Sequence, residues 1–232
     1  MSPISRGRAE HIIVLAGVNL HLDPAGALYW PEQGLLAVAD LHLEKGSSFA
    51  ARGQLLPPYD TAATLARLAR LIVHYAPRYV LALGDSFHDD TGPTRLADED
   101  RQTLRGLQRG RDWIWIAGNH DPEPTSNIGG DFHDALQTGA LIFRHLPTDA
   151  AGEIAGHLHP VARIAHRGRT VSRRCFAVDA ARIVMPAFGA FAGGLNVRDE
   201  AFADLFGTLA FTAHLLGEHR LYSFSAKYCL SD

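Results

Sequence analysis

The chain has 232 residues, is 47% hydrophobic and carries a formal charge of -3, which supplies apolar material for one compact core and excludes a disordered chain or a globally basic nucleic-acid binder. Any polyanion would have to be held by local patches or by bound cations. Two cysteines, Cys175 and Cys229, show no metal or redox spacing, so neither a zinc ribbon nor a disulfide framework is expected, and a reducing, cytoplasmic setting fits.

Residues 12–17, 27–30 and 35–39 read as strands, the second preceded by an Asp23-Pro24 turn. The apolar stretch 12–18 is too short to span a bilayer, residues 1–10 are polar, and no leader with a cleavage site follows, so no membrane association is expected. Strand 35–39 is apolar throughout, as in a sheet interior. Residues 43–58 contain Gly46, Gly53 and two prolines, show no clear period and read as a loop. Asp60 is placed to cap a helix over 61–75, where Leu65, Leu68, Ala69 and Ile72 recur at helical spacing until Pro77. A buried strand at 79–83 precedes a second helix over 97–109, with Asp98, Glu99 and Asp100 at its start and Arg105 and Arg109 near its end. Strand 113–117 follows.

This alternation implies a largely parallel sheet layered with helices. The second half differs. Short strands at 141–144, 153–155, 162–165, 170–178 and 182–185 lack long helices between them, as in a second, more antiparallel sheet. The expected fold class is α/β, two facing mixed sheets flanked by helices, in a single domain over 1–232.

Metal-ligand chemistry is concentrated after these strands. Asp40-Leu41-His42, Gly84-Asp85-Ser86-Phe87-His88, Gly118-Asn119-His120-Asp121 and Gly156-His157-Leu158-His159 each directly follow one of them, and open α/β sheets place their sites at strand ends. Mixed imidazole and carboxylate donors suit first-row divalent ions, and a shared acid can hold two ions together; Asp85 is the natural bridge.

In order and spacing these blocks resemble the calcineurin-like binuclear metallophosphoesterases, whose pattern is DxH, GDxx(D/H), GNH(D/E), a lone His and GHxH. The resemblance spans about residues 36–160 and implies a four-layer sandwich. It implies one divalent ion held by Asp40, His42, Asp85 and His159, and another by Asp85, Asn119, His145 and His157, with a bridging hydroxide as nucleophile. Manganese is the implied metal, with iron or zinc as alternatives. His145 is taken as the lone histidine because it ends the apolar run Leu141-Ile142-Phe143, whereas His133 has a polar Gly129-Gly130-Asp131 setting. The resemblance makes His120 the residue that contacts phosphate and protonates the leaving oxygen, with Asp121 orienting its ring. His88, at the variable end of the second block, is a further candidate for contact with the reacting groups. Two dications less Asp40, Asp85 and one hydroxide leave a single positive charge, the complement of a phosphodiester.

Further segments resemble the PdeM group of bacterial ligase-associated DNA damage response endonucleases. They are residues 40–53 with Lys45-Gly46 and Arg52-Gly53, then Leu55-Leu56-Pro57-Pro58-Tyr59-Asp60-Thr61, and Met185-Pro186-Ala187-Phe188-Gly189 leading to Gly193-Gly194-Leu195. The implied activity is endonucleolytic cleavage of single-stranded or distorted DNA in repair, associated with a DNA ligase and a helicase. Lys45 and Arg52 are candidate substrate contacts. Phe188 and Phe191 suit core packing or base stacking. Arg163, His166, Arg167, Arg169, Arg173 and Arg174 form a basic strand pair after His159, from which Arg167 and Arg169 are taken as substrate contacts; a solvated hairpin is an equal reading. Hydrolysis of a small nucleotide or other phosphodiester is the alternative function. The oligomeric state stays open, a homodimer included.

Overall fold

The computed structural model describes residues 11–54, 56–121, 127–207 and 209–232; the polar stretch 1–10 and Leu55 lie outside the described residues. A hairpin begins this part of the chain, with β1 (His11–Leu15) antiparallel to β2 (Val18–Leu22). Ala16 and Gly17 turn it with φ of 49° and 80°, the left-handed pair that matches strand twist. The first sheet continues through β3 (Leu28–Trp30), β4 (Leu35–Ala39), β5 (Tyr79–Leu83), β6 (Asp112–Ile116) and β7 (Asp131–His133) in that spatial order, parallel from β4 onward.

Between these strands lie α1 (Lys45–Ala51), α2 (Asp60–Tyr75), the single turn α3 (Gly92–Arg95) and α4 (Asp98–Gln108). α1 replaces residues 45–51 of the loop expected over 43–58. Asp60 is also not a cap: Tyr59 holds that position without a side-chain bond, while Asp60 Oδ2 accepts the Gly46 N–H at 3.1 Å and joins α2 to α1.

The second sheet contains β8 (Ala135–Thr138), β9 (Leu141–Arg144), β10 (Glu153–Ala155), β11 (Pro160–His166), β12 (Arg169–Val178), β13 (Arg182–Val184), β14 (Leu195–Asn196), β15 (Thr212–Leu216) and β16 (Leu221–Ser225), with α5 (Glu200–Phe206) before β15. Its path is β14-β11-β12-β13-β10-β9-β8, and β15 and β16 branch from β12. Most pairs are antiparallel, but β9, β10 and β13 run parallel, as do β11 and β14.

Strand periodicity sorts side chains into layers. Ala37 and Ala39 face the space between sheets with Leu81, Leu83, Phe143, Ile154, Phe176 and Ile183. Leu36 and Val38 point the other way, onto Leu65, Leu68 and Leu71 of α2 and Leu104 of α4. On the far side of the second sheet, Ala177 and Val184 pack with Phe202 and Phe206 of α5. Each fully buried Leu, Ile or Phe contributes about 1.5–3 kcal/mol by leaving water. The result is helix, sheet, sheet, helix, as expected. Among the described residues no helix is long and apolar enough to cross a membrane, and both cysteines are free and buried.

One end of the sandwich is tied shut. Ala39 bridges Ala187 in parallel, and the Phe188 and Gly189 N–H groups donate to the Ala39 and Asp40 carbonyls at 2.8 and 3.0 Å. The loops that follow the C-terminal ends of β4, β5, β6, β9 and β10 carry the donor blocks.

Candidate metal centre

Leaving those strands, the chain adopts a backbone that side chains ordinarily avoid. Asp40, His42, Asp85, His157 and His159 have φ of 53°, 42°, 44°, 69° and 46°, and are five of the eleven non-glycine residues with left-handed φ among the described residues. Such conformations cost of order 1–3 kcal/mol each and persist where surrounding contacts over-determine them. Here the His42 N–H donates to Asp85 O at 2.8 Å and the Leu43 N–H to Ser86 O at 2.9 Å, while the His157 N–H donates to Asp40 Oδ2 at 3.0 Å. Gly84 and Gly118 permit the close approach: a Cβ on Gly84 would lie 2.3 Å from the His145 ring, and one on Gly118 2.1 Å from Asp85 N.

Two donor groups result, and they share one carboxylate. Asp40, His42, Asp85 and His159 bring ligand atoms within 4.8 Å of one another, as do Asp85, His145 and His157. On the first side, His159 Nε2 is 3.3 Å from Asp40 Oδ1 and 3.2 Å from His42 Nε2, while His42 Nε2 is 3.8 Å from Asp85 Oδ2. On the second, His145 Nε2 lies 3.3 Å from Asp85 Oδ1, 2.9 Å from Asn119 Oδ1 and 3.2 Å from His157 Nδ1.

Proton arithmetic shows that these atoms fit a cation. His145 Nδ1 is 3.1 Å from Leu83 O; a carbonyl only accepts, so Nδ1 carries the hydrogen and Nε2 of the neutral ring presents a lone pair. That lone pair faces the Asn119 amide oxygen, which also only accepts. A cation held between the two atoms would satisfy both. Burial, then neighbouring His159, His120 and His88, push His42 down to about 2, and burial followed by His145 lowers His157. Both rings are thereby kept neutral, the form that ligates metal.

His120 and His88 form the rim. Their rings stack at 5.4 Å and 20°, and His120 Nδ1 pairs with the His88 carbonyl at 2.9 Å. The His120 side chain is 41% exposed, with Nε2 3.9 Å from Asp85 Oδ2. Asp121 does not orient this ring. Its Oδ2 instead accepts the Ser86 and Phe87 N–H groups at 2.7 and 3.0 Å, holding the Asp85 loop. Burial raises Asp121 to about 7 against those hydrogen bonds, with nearby Asp85 adding to the rise.

The proposed substrate contacts separate into two sets. Lys45 and Arg52 flank Phe49 of α1, with Lys45 Nζ 5.7 Å and the Arg52 guanidinium 5.1 Å from its ring centre, and Phe49 lies 5.6 Å from the His88 ring. Phe49 was not among the expected site residues; its signal is the helical spacing from Lys45, which is invisible while 43–58 reads as a loop. Arg167 and Arg169 sit exposed at the β11–β12 turn. β11 spans seven residues, so at about 3.3 Å per residue the turn stands roughly 20–25 Å from His159.

Two other arginines of the basic strand pair have structural partners. Arg174 turns inward and donates to the carbonyls of Ala187, Gly189 and Ala192 at 2.9, 2.8 and 2.7 Å, and Arg163 pairs with Asp232 at 2.9 Å. Phe188 is wholly buried while Phe191 stays 36% exposed. His133 lies exposed on β7, whereas His145 is buried in the donor group.

Residues 35–174 match the calcineurin-like phosphoesterase family. This is more than half of the chain, and the chain belongs to that family: it is a metal-dependent phosphoesterase with a binuclear donor site. Among solved structures it is similar to the Pseudomonas putida nuclease MPE, with 26% identity over 93% of this chain and 100% of that one and a TM-score of 0.71. YfcE, a phosphoesterase from E. coli, is 12% identical over 83% of this chain and 98% of its own, with a TM-score of 0.40. A predicted phosphoesterase from Streptococcus pneumoniae TIGR4 is 13% identical over 82% and 96%, with a TM-score of 0.31. No curated protein sequence matches the chain.

Proposed function

We propose that this protein is a phosphodiesterase that cleaves single-stranded or distorted DNA endonucleolytically in a repair pathway, with two manganese ions in preference to iron or zinc. The observation that carries the binuclear reading is the sharing of Asp85 between the two donor groups. Asp40, His42, Asp85 and His159 would hold one ion, and Asp85, Asn119, His145 and His157 the other. When bound, the ions supply nucleophile activation near neutral pH and neutralisation of phosphate charge.

His120 is the acid in this reading. Its Nδ1 hydrogen is committed to the His88 carbonyl, so in the imidazolium form Nε2 holds the transferable proton on the side facing Asp85. Transfer from Nε2 to the leaving oxygen is worth typically 10²–10⁴-fold. His88 supports it by ring stacking and its carbonyl; Asp121 fixes the loop that presents Asp85.

DNA as substrate is supported by the likeness to the Pseudomonas putida nuclease along nearly the whole chain. Lys45 and Arg52 would contact the strand near the scissile phosphate, and Arg167 and Arg169 would reach it only where it extends several nucleotides beyond. Association with a DNA ligase and helicase, a cytoplasmic location and a single domain over 1–232 complete the proposal. The test is a panel of purified protein against single-stranded DNA, duplex DNA, RNA and an aryl phosphodiester, each with manganese, zinc and magnesium. Cleavage of single-stranded DNA with manganese supports the reading; hydrolysis of the aryl diester alone would redirect it to a small phosphodiester.

A further inference from the structure

Lys45, Phe49 and Arg52 are spaced to share one face of α1 and its end. Phe49 is half-buried, with Lys45 Nζ 5.7 Å and the Arg52 guanidinium 5.1 Å from its ring centre. From Phe49 a row of rings leads inward: His88 at 5.6 Å, and from His88 both His120 at 5.4 Å and the metal donor His42 at 5.7 Å. Lys45 Nζ also donates to the Phe191 carbonyl at 3.1 Å, placing an exposed phenyl-bearing loop beside the same cation. Among the described residues, no carboxylate forms an ion pair with Lys45 or Arg52.

We propose that Phe49, Lys45 and Arg52 form a nucleotide subsite in which the base next to the scissile phosphate stacks on Phe49 and the two cations hold an adjoining phosphate. The inference rests on the phosphodiesterase reading above and gives that site a substrate class, esters that carry an unpaired nucleoside. Every base has a π-face, so one aromatic ring serves any sequence. A base stacked within a duplex cannot offer that face, which selects single-stranded substrates. Lys45 and Arg52, the latter held by bonds to Ser48 O and Oγ at 3.3 and 2.9 Å, supply the backbone charge complement.

The test compares thymidine 3'- and 5'-(4-nitrophenyl) phosphates with methyl 4-nitrophenyl phosphate on the manganese-loaded protein. All three lose the same leaving group, so the ratio of kcat/KM values reports nucleoside binding rather than chemistry. Wild type should favour at least one thymidine ester, and Phe49→Ala should lower that preference about tenfold or more, mainly through KM. Phe49→Trp should restore it, and Phe49→Leu, which keeps apolar bulk without the π-face, should not. An unchanged ratio in Phe49→Ala and Phe49→Leu, even with both rates reduced, means that Phe49 only props the fold and overturns the subsite. Wild type acting on the methyl ester without thymidine preference rejects the subsite while leaving phosphodiesterase activity standing. Hydrolysis of none of the three would sink both readings.

Discussion

The two ends of the β11–β12 hairpin use the same unusual backbone for different purposes. At its tip, Arg167 and Gly168 have φ of 49° and 74° because a two-residue turn between paired strands requires them; both are exposed. At its base, His157 and His159 are also left-handed, yet they belong to a junction packed against Asp40, whose side chain is fully buried. The dihedral angle alone therefore says little. What distinguishes the base is the convergence of carboxylate and imidazole ligand atoms within 4.8 Å of one another, an arrangement suited to cations, while the tip offers positive charge to solvent. Substitutions at the base should act through metal and chemistry, and those at the tip through long-range attraction alone.

The largest effect is expected at Asp85. Asp85→Ala should remove hydrolysis and metal together, beyond the roughly 10–100-fold that loss of an outer-shell partner costs; activity assays paired with metal analysis check it, and a fully loaded, active variant would break the comparison. His120→Ala comes next, with both ions retained and turnover of unactivated diesters reduced about 10²–10⁴-fold. The deficit should shrink with a 4-nitrophenolate leaving group, whose departure needs less protonation. An equal deficit on both substrates would remove His120 from the acid role.

Gly84→Ala sharpens the view of the base as a strained junction. The added methyl meets the His145 ring, and the residue has φ of 69°, so thermal unfolding should show a loss of about 1–3 kcal/mol together with weaker binding of the second ion. Wild-type stability and affinity would contradict the close approach.

A smaller effect belongs to a contact outside the donor groups. His11 of β1 and His214 of β15 join the two sheets through Nε2 and Nδ1 at 2.9 Å, and burial, then His11, lowers His214 to about 4. The folded form therefore binds fewer protons than the unfolded chain between about pH 4 and 6.5, and stability falls as pH drops through that window. His214→Gln should flatten this part of the stability profile of the metal-free protein. A profile that keeps its full slope assigns the acid sensitivity elsewhere.

The smallest effects are expected at the hairpin tip. Arg167→Ala with Arg169→Ala should leave melting temperature and metal content unchanged and flatten the slope of log affinity against log salt by roughly 0.7 per lost single-strand contact. An unchanged slope would return the tip to a solvated hairpin. Arg174→Ala should instead lower the melting temperature, because it frees three carbonyls of the loop after β13.

The donor blocks were legible because each joins short motif chemistry to the end of an apolar strand, and the layer order was legible because β4 is apolar on both faces. α1 was hidden by Gly46, Ser47 and Ser48, which weaken helix propensity; burial of Gly46 against Asp60 makes the helix instead. β2 is hard to see in the sequence although Val18-Asn19-Leu20-His21-Leu22 alternates, since the Ala16-Gly17 turn joins it to β1 without a polar break. The inward turn of Arg174 and the partners of Asp121 were not legible at all. Both depend on carbonyl or amide groups brought close only by tertiary packing, 13 to 35 positions away in sequence.

The central claim is that Asp85 joins two ions into one pair. Electron paramagnetic resonance during manganese titration tests it directly. The account predicts uptake of two ions per chain, with the hyperfine pattern of isolated manganese replaced at saturation by that of an exchange-coupled pair, and loss of the coupled signal in Asp85→Ala. Saturation at one ion, or two ions that keep the isolated pattern, would contradict it.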